Sequence, residues 1–351
     1  MKGFVYRIWL KILKFYYILK LQQLNSIDSS AIEKIILVVN GGVGDFIMLW
    51  PLISRISEKY ELLIFIRRPV VRKFISDMNL NLSLVTDKTL HNLPNLVFLY
   101  SYGYEDGNLD LLKNFKFSTH LGYVLDNSMI NLKGRYEKVT QPIIYSNHVQ
   151  NNLNLLNLIG IQSSFNLKDL QIKRISEPSN EEIKIVLNLK TKGYSRNWPI
   201  CRYIELLDNL NKHLTFKTIL VGGPEDFDLA SEFYHKCCDR LKIDNMVGKL
   251  NFHETAKIIA ESKFFITGDS GLLHISGSFT NTRTIALFGP TNPVNYSWLY
   301  PNVTSISYNN SPCNFGPKKI TCKCPKMHSC NHLYNINSDM IASDILNAFN
   351  L

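Results

Sequence analysis

The chain has 351 residues, 45% of them hydrophobic and 19% charged, with a formal net charge of +10. This is an ordinary globular composition, long for one domain and comfortable for two. The positive balance favours anionic partners, either phosphorylated sugars or an acidic membrane face; nucleic acid ranks below them because no Lys/Arg block exceeds a pair.

Residues 1–30 open the chain with a basic amphipathic segment in which Arg7, Lys11 and Lys14 share a helical face. Charges recur too often there for a spanning helix, and no small-residue cleavage site follows. Two readings stand: a helix lying on an anionic membrane, or one packed on the first domain. Ile35 to Val39 is a continuous apolar run, as in a parallel strand buried on both faces. Gly41, Gly42 and Gly44 form a turn, and Phe46 to Tyr60 reads as one helix. Leu62 to Ile66 is a second strand, followed by Arg67-Arg68-Pro69 and a helix through Met78; Leu96 to Tyr100 is a third. Gly103 to Pro142 is polar and Asn-rich, without readable order. Asn151 to Ile159 is helical, and Lys173 to Glu182, broken by Pro178, is the best linker candidate.

The alternation then restarts. Ile183 to Leu189, Thr218 to Val221, Phe264 to Thr267 and Thr284 to Phe288 read as strands. Pro199 to Leu210 is a helix, Asn251-Phe252-His253-Glu254 forms a capping box opening another, and Ser338 to Phe349 is the last. Strands alternating with helices twice over predict an α/β fold: two Rossmann-like doubly wound domains facing across a cleft. The limits expected are 31–172 and 183–335, with 336–351 as a C-terminal helix.

Chemistry-bearing residues gather at the ends of these strands, where ligands bind in open α/β sheets. Gly42-Val43-Gly44-Asp45 lacks the third glycine of a dinucleotide fingerprint, since Ile47 stands there, and no Gly-Lys-Ser/Thr follows a glycine loop. Asp45 is therefore either a carboxylate facing a ligand or a first-turn acid favoured by the helix dipole. Arg196, with Lys192 nearby, sits in a loop after a strand, where a guanidinium can hold a diphosphate bidentately; the alternative is a solvated charge beside a packed Trp198. Gly268-Asp269-Ser270-Gly271 opens a helix whose amides suit an anion, and His274 is either a ligand contact or a satisfied core histidine. Arg67, Arg68, Arg72 and Lys73 suit an anionic acceptor or form a solvated helix face.

Seven cysteines, an odd number, fit a reducing cytoplasm. Cys313, Cys322, Cys324 and Cys330 cluster with His328 and His332. The single residue between Cys322 and Cys324 is poor zinc spacing, so buried or free thiols are expected rather than metal.

Taken in order, Gly44-Asp45 with Pro51, Arg196 with Trp198-Pro199, Gly222-Gly223-Pro224, Gly248-Lys249, Gly268-Asp269-Ser270-Gly271 with His274, and Phe288-Gly289-Pro290-Thr291 resemble glycosyltransferase family 9, the ADP-heptose:lipopolysaccharide heptosyltransferases. The resemblance covers residues 35–300. It implies a two-domain fold of the glycosyltransferase B type and an inverting, metal-independent transfer of heptose from an ADP-sugar to an anionic lipopolysaccharide core. No cofactor is implied, the nucleotide-sugar being a substrate. By that resemblance Asp45 is the catalytic carboxylate. Lys192, Arg196, Gly223, Gly248, Asp269, Ser270, Gly271, His274 and Thr291 meet the donor. Gly42 and Gly44 are expected on the acceptor side, together with the Arg67, Arg68, Arg72 and Lys73 cluster if it is not simply a solvated helix face. Arg196 stands where many members have lysine, and Leu250 where threonine is common. The expected location is cytoplasmic, peripheral on the inner membrane. A nucleotide-sugar epimerase of the same fold and a non-catalytic nucleotide-sugar or anionic-lipid binder are the rival readings.

Overall fold

The computed structural model describes residues 32–91, 93, 96–101, 111, 114–115, 118–123, 138–140, 148–162, 166–175, 182–192, 196–297, 299–307 and 331–351. The chain divides into two compact units, Met1–Asp169 and Leu170–Leu351. The basic segment over residues 1–30 and the cysteine cluster at 313–330 lie outside the described residues.

The first unit is built on strand β1 (Lys34–Val39), whose last five residues are buried. Two helices follow, α1 (Val43–Ile47) and α2 (Trp50–Ser57), where the sequence predicts one. Pro51 is the physical reason: it has no N–H to give the carbonyl of Ile47 and its ring crowds that position, so the helix breaks and restarts with proline in its first turn. Next come β2 (Glu61–Ile66), α3 (Pro69–Asp77), β3 (Leu84–Val85), α4 (Asp87–Leu90) and β4 (Val97–Tyr100). Strands β5 (Thr119–Tyr123) and β6 (Lys138–Thr140) fall inside the stretch that carries no readable order; they are short, polar in part, and β6 is an edge strand. Helix α5 (His148–Asn154) runs into a 3-10 turn, Leu155–Ile159, that ends at Gly160 in the left-handed region, φ 72°.

The second unit contains β7 (Lys184–Asn188), α6 (Ile200–Asn211), β8 (Lys217–Leu220), α7 (Phe227–Cys237), β9 (Ile243–Asn245) and α8 (Phe252–Ala260). It continues with β10 (Phe264–Gly268), α9 (Gly271–Phe279), β11 (Arg283–Phe288), α10 (Pro293–Tyr296), β12 (Val303–Ser307), α11 (Asn331–Tyr334) and α12 (Ser338–Asn347). The predicted capping box is present: Asn251 Oδ1 accepts the Glu254 N–H at 2.9 Å, and Glu254 Oε2 accepts the Asn251 N–H at 2.8 Å.

The two sheets share one topology. The first is ordered β3-β2-β1-β4-β5-β6 and the second β12-β11-β10-β7-β8-β9, with every adjacent pair parallel. Renumbered within its own unit, the second sheet reads 3-2-1-4-5-6 from its far edge, as the first does. Each therefore reverses strand order once, between its first and fourth strands, and the crevice at the carboxyl ends of that pair is where such sheets bind ligands. The reversal lies between β1 and β4 in the first unit and between β7 and β10 in the second.

The unit boundary falls ahead of the expected linker. Ile172 and Ile175 donate backbone hydrogen bonds to Ser278 and Phe279 at 3.1 and 2.9 Å, tying that segment to the second unit. Helix α12 is likewise part of the second unit's core rather than an appendage: Ile341, Ala342 and Ile345 pack with Tyr203, Leu206, Leu207 and Leu210 of α6.

Candidate functional site

In the first unit, the chain leaves β1 through buried Asn40 and turns at Gly41-Gly42 into α1. Asp45, in the first turn of α1, accepts the Gly42 N–H on Oδ2 at 2.7 Å. A carboxylate there also faces the positive end of the helix. Gly41 is what allows this, because a Cβ would stand 2.3 Å from Asp45 Cβ. Gly42 has more room, with the nearest atom of such a Cβ, Asp45 Oδ2, at 3.7 Å. Gly44 lies within the same first turn. Across the reversal, the residue after β4, Ser101, donates its N–H to Val38 at 3.2 Å, so both strand ends meet at this turn.

The four basic residues after β2 separate into two groups. Arg68 is brought to the Asp45 turn, its Nε donating to the Asn40 carbonyl at 2.8 Å, and Arg67 lies 5.2 Å from the Phe65 ring centroid. Arg72 instead donates to the Ile66 carbonyl at 3.1 and 2.9 Å and to Val85 at 3.5 Å, pinning the ends of β2 and β3. Lys73 pairs with Asp77 one helical turn on, at 2.8 Å. Arg72 and Lys73 thus serve local structure away from the turn, while Arg67 and Arg68 stand beside it.

In the second unit Arg196, Asp269, Ser270 and Gly271 come together at the reversal point. Arg196, after β7, reaches Asp269, after β10: Nη1 donates to the Asp269 carbonyl at 3.2 Å and to its Oδ2 at 3.1 Å. The Asp269 side chain is only 7% exposed and the Arg196 side chain 17%, so the pair is far better shielded than an ordinary surface bridge. Gly268 permits the approach, because a Cβ there would lie 2.8 Å from Thr191 Cγ2 and 2.9 Å from the Arg196 carbonyl. The loop is stiffened by Asn197, whose Oδ1 accepts the Thr191 N–H at 2.7 Å and the Thr191 hydroxyl at 3.1 Å. Trp198 anchors its far end in the core, donating Nε1–H to the Ile336 carbonyl at 3.3 Å.

Ser270 caps α9 by position but not with its side chain, which lies 3.0 Å from the Thr267 hydroxyl. Thr267 in turn donates to Asn188 Oδ1 at 3.1 Å, joining β10 to β7 beneath the site. The start of α9 thus has no side-chain cap, and amides at an uncapped helix start suit an anion. Arg196 Nε and Thr291 Oγ1 are both enclosed with no hydrogen-bond partner among the described residues. Buried polar atoms are normally satisfied, so two orphans past the carboxyl ends of β7 and β11, the strands on either side of β10, make this a candidate seat for a polar ligand. Lys192 is exposed at the mouth of this loop.

Two further predicted donor residues have contacts within the unit. His274 is buried, and its Nδ1 lies 3.0 Å from the Tyr300 hydroxyl. The satisfied-core reading therefore describes its observed contact, and burial pushes the Tyr300 phenol above the ordinary tyrosine range so that it keeps its proton. Gly277 makes room for that ring, which a Cβ would approach within 2.4 Å. Gly248, at φ 73°, donates its N–H to the Gly222 carbonyl at 3.0 Å and supports the turn that contains Gly223.

That turn also holds residues the sequence reasoning missed. Asp226 Oδ2 accepts the Gly223 N–H at 3.1 Å, and Lys190 Nζ lies 3.6 Å from Asp226 Oδ1. The signal was available: Gly222-Gly223-Pro224-Glu225-Asp226 repeats the spacing of Gly41-Gly42-Val43-Gly44-Asp45. Among the described residues no group of three or more His, Cys, Asp or Glu is placed to hold a metal ion, and no helix is long and apolar enough to cross a membrane.

Comparison with known proteins fits this arrangement. "Lipooligosaccharide heptosyltransferase 2" of Haemophilus influenzae is 32% identical over 103 residues, 29% of this chain and 29% of that protein. The Campylobacter jejuni protein of the same name (serotype O:2) is 25% identical over 210 residues, 56% of this chain and 61% of that protein. The chain thus spans less than two thirds of the length of these curated relatives. Among solved structures, ADP-heptose lps heptosyltransferase II of E. coli superposes with a TM-score of 0.67 at 17% identity, covering 90% of this chain and 98% of that one. The glycosyl transferase family 9 protein of Veillonella parvula gives 0.70 at 17% identity, over 92% and 99%. These likenesses show the fold, two Rossmann-like doubly wound units of the glycosyltransferase B type. The profile of "Glycosyltransferase family 9 (heptosyltransferase)" matches residues 116–328, more than half of the chain, and the chain belongs to that family.

Proposed function

We propose that this chain is an inverting glycosyltransferase that moves heptose from ADP-heptose to an anionic lipopolysaccharide core acceptor. The observation that carries the reading is the grip at the β7/β10 reversal. Arg196 is held on one edge by Asp269, keeps Nε enclosed and unpartnered, and stands beside the uncapped start of α9. A guanidinium held on one edge offers its other edge to a diphosphate, and the α9 amides add a second set of donors.

The chemistry is a single displacement. The acceptor hydroxyl gives its proton to the Asp45 carboxylate as its oxygen attacks the anomeric carbon, and the bond to the diphosphate breaks on the opposite face. One base suffices, in contrast to the paired carboxylates of a retaining glycosidase. Negative charge gathers on the departing diphosphate, where Arg196, Lys192 and the α9 amides stabilise it. Preorganised donors of this kind contribute several kcal/mol in comparable sites. These cations fill the place a divalent metal would take, so the transfer is read as metal-independent, with no cofactor. Arg67 and Arg68, beside the Asp45 turn, suit a phosphorylated or acidic core. The protein is read as working at the cytoplasmic face of the inner membrane, peripherally bound.

The test is turnover of ADP-heptose with and without a core acceptor, in the presence of excess chelator. The expected result is ADP release and inverted product only when acceptor is present, unaffected by chelation. A free altered sugar formed without acceptor would show an epimerase, and nucleotide binding without turnover would show a binding protein.

A further inference from the structure

Lys190 lies two residues past β7. Its ammonium donates to the Glu225 carbonyl and stands 3.6 Å from Asp226 Oδ1, while Asp226 Oδ2 takes the Gly223 N–H at 3.1 Å. From the other side, the Gly248 N–H donates to the Gly222 carbonyl at 3.0 Å. Gly248 also packs so closely that a Cβ on it would lie 3.1 Å from Pro224 Cα. The Gly222–Asp226 turn is therefore fixed from β7, from within, and from the turn after β9. Asp226 is half-buried, and burial pushes its carboxyl above the ordinary aspartate range, against which the Gly223 N–H and then the Lys190 ammonium favour the charged form.

A turn fixed from three sides presents its outward groups at set positions. Here those are the exposed Glu225 carboxylate, folded back so that a Cβ on Gly223 would lie 2.4 Å from its Oε2, and the glycine backbone beneath it. Strand β8 lies on the opposite side of β7 from β10, so this turn flanks the diphosphate seat and meets a different part of the donor. Beyond it, half-buried Met246 and Leu250 add apolar surface. A carboxylate for hydroxyls next to an apolar patch matches a nucleoside, which joins a hydroxylated ring to a flat apolar one.

We infer that Lys190 is a positioning residue for the nucleoside half of the donor, acting through the Gly222–Asp226 turn. The inference rests on the second unit being the donor unit, and the experiment separates the two claims. The full chain and three variants, Lys190→Met, Lys190→Arg and Arg196→Ala, are titrated calorimetrically with ADP and with inorganic pyrophosphate. Loss of a hydrogen bond to a charged group predicts that Lys190→Met weakens ADP about tenfold. Pyrophosphate binding stays unchanged in that variant, Lys190→Arg restores ADP affinity, and the donor KM of Lys190→Met rises while kcat holds. Wild-type ADP affinity in Lys190→Met, with or without a lower melting temperature, overturns the inference, as does an equal loss of ADP and pyrophosphate. Arg196→Ala weakens both ligands if the donor reading is right. Unchanged binding of both in that variant, or a wild-type chain that binds neither, refutes the donor reading itself.

Discussion

The Gly41–Asp45 and Gly222–Asp226 turns use one backbone device. In each, an aspartate three residues past the second glycine accepts that glycine's N–H, at 2.7 Å in the first unit and 3.1 Å in the second. In each, a Cβ on the first glycine would lie 2.6 Å from the aspartate Oδ2. They differ in where the sheet puts them. The first leaves β1, the strand at which order reverses, and leads into α1 with Arg68 tied to its start. The second leaves β8, one strand away from the reversal, runs into a 3-10 turn at Pro224–Asp226, and is clamped by Lys190 from the strand beside it. Position in the sheet, rather than the motif, sets the role. In the proposed reading a carboxylate at the reversal point faces substrate, while the same carboxylate one strand over fastens a loop.

The sharpest way to break this comparison is to substitute the paired glycines. Gly41→Ala forces Asp45 out of place, and since a misplacement of about 1 Å can cost about a hundredfold in rate, kcat should fall by at least that much with donor affinity kept. Gly222→Ala should instead raise the donor KM and leave kcat nearly intact; steady-state kinetics on the two variants decides, and matching defects would erase the distinction. A smaller effect is expected from Arg196→Lys, which keeps the charge but loses the fork that holds Asp269 and, in the proposed reading, the diphosphate. A drop of about tenfold in kcat/KM should follow.

A pH series sharpens the second turn further. Asp226 holds its proton more tightly in the folded chain than in the unfolded one because burial raises its pKa. Its favourable contribution to stability is therefore present below the ordinary aspartate pKa and is lost as pH rises through the raised value. Melting temperatures should show wild type losing ground to Asp226→Asn across that window. A gap that stays constant with pH would contradict the assignment. The smallest effect belongs to a site outside both turns: Asn251→Ala removes the α8 cap and should cost about 1 kcal/mol in denaturant unfolding, with transfer unchanged.

Much of this was legible in the sequence because the central strands announce themselves. Ile35–Val39 and Phe264–Thr267 are unbroken apolar runs ending at Gly-Asp turns, and parallel strands covered on both faces must look that way. The Asn251 box was readable because capping is local. What escaped detection depends on contacts distant in sequence or on weak periodicity. Strands β5 and β6 are short and of mixed polarity, and Lys190 meets Asp226 only because β7 and β8 pair. His274 has the same pattern whether it faces a ligand or Tyr300, and only packing distinguishes the two. The break between α1 and α2 is different, since Pro51 signals it locally.

The central claim is that Asp45 takes the proton from the acceptor. Single-turnover transfer by Asp45→Asn, measured beside its calorimetric affinity for ADP, tests it most directly. The account predicts a rate lower by at least about a hundredfold, as befits loss of a general base, with ADP binding unaltered. Transfer at the wild-type rate would contradict it.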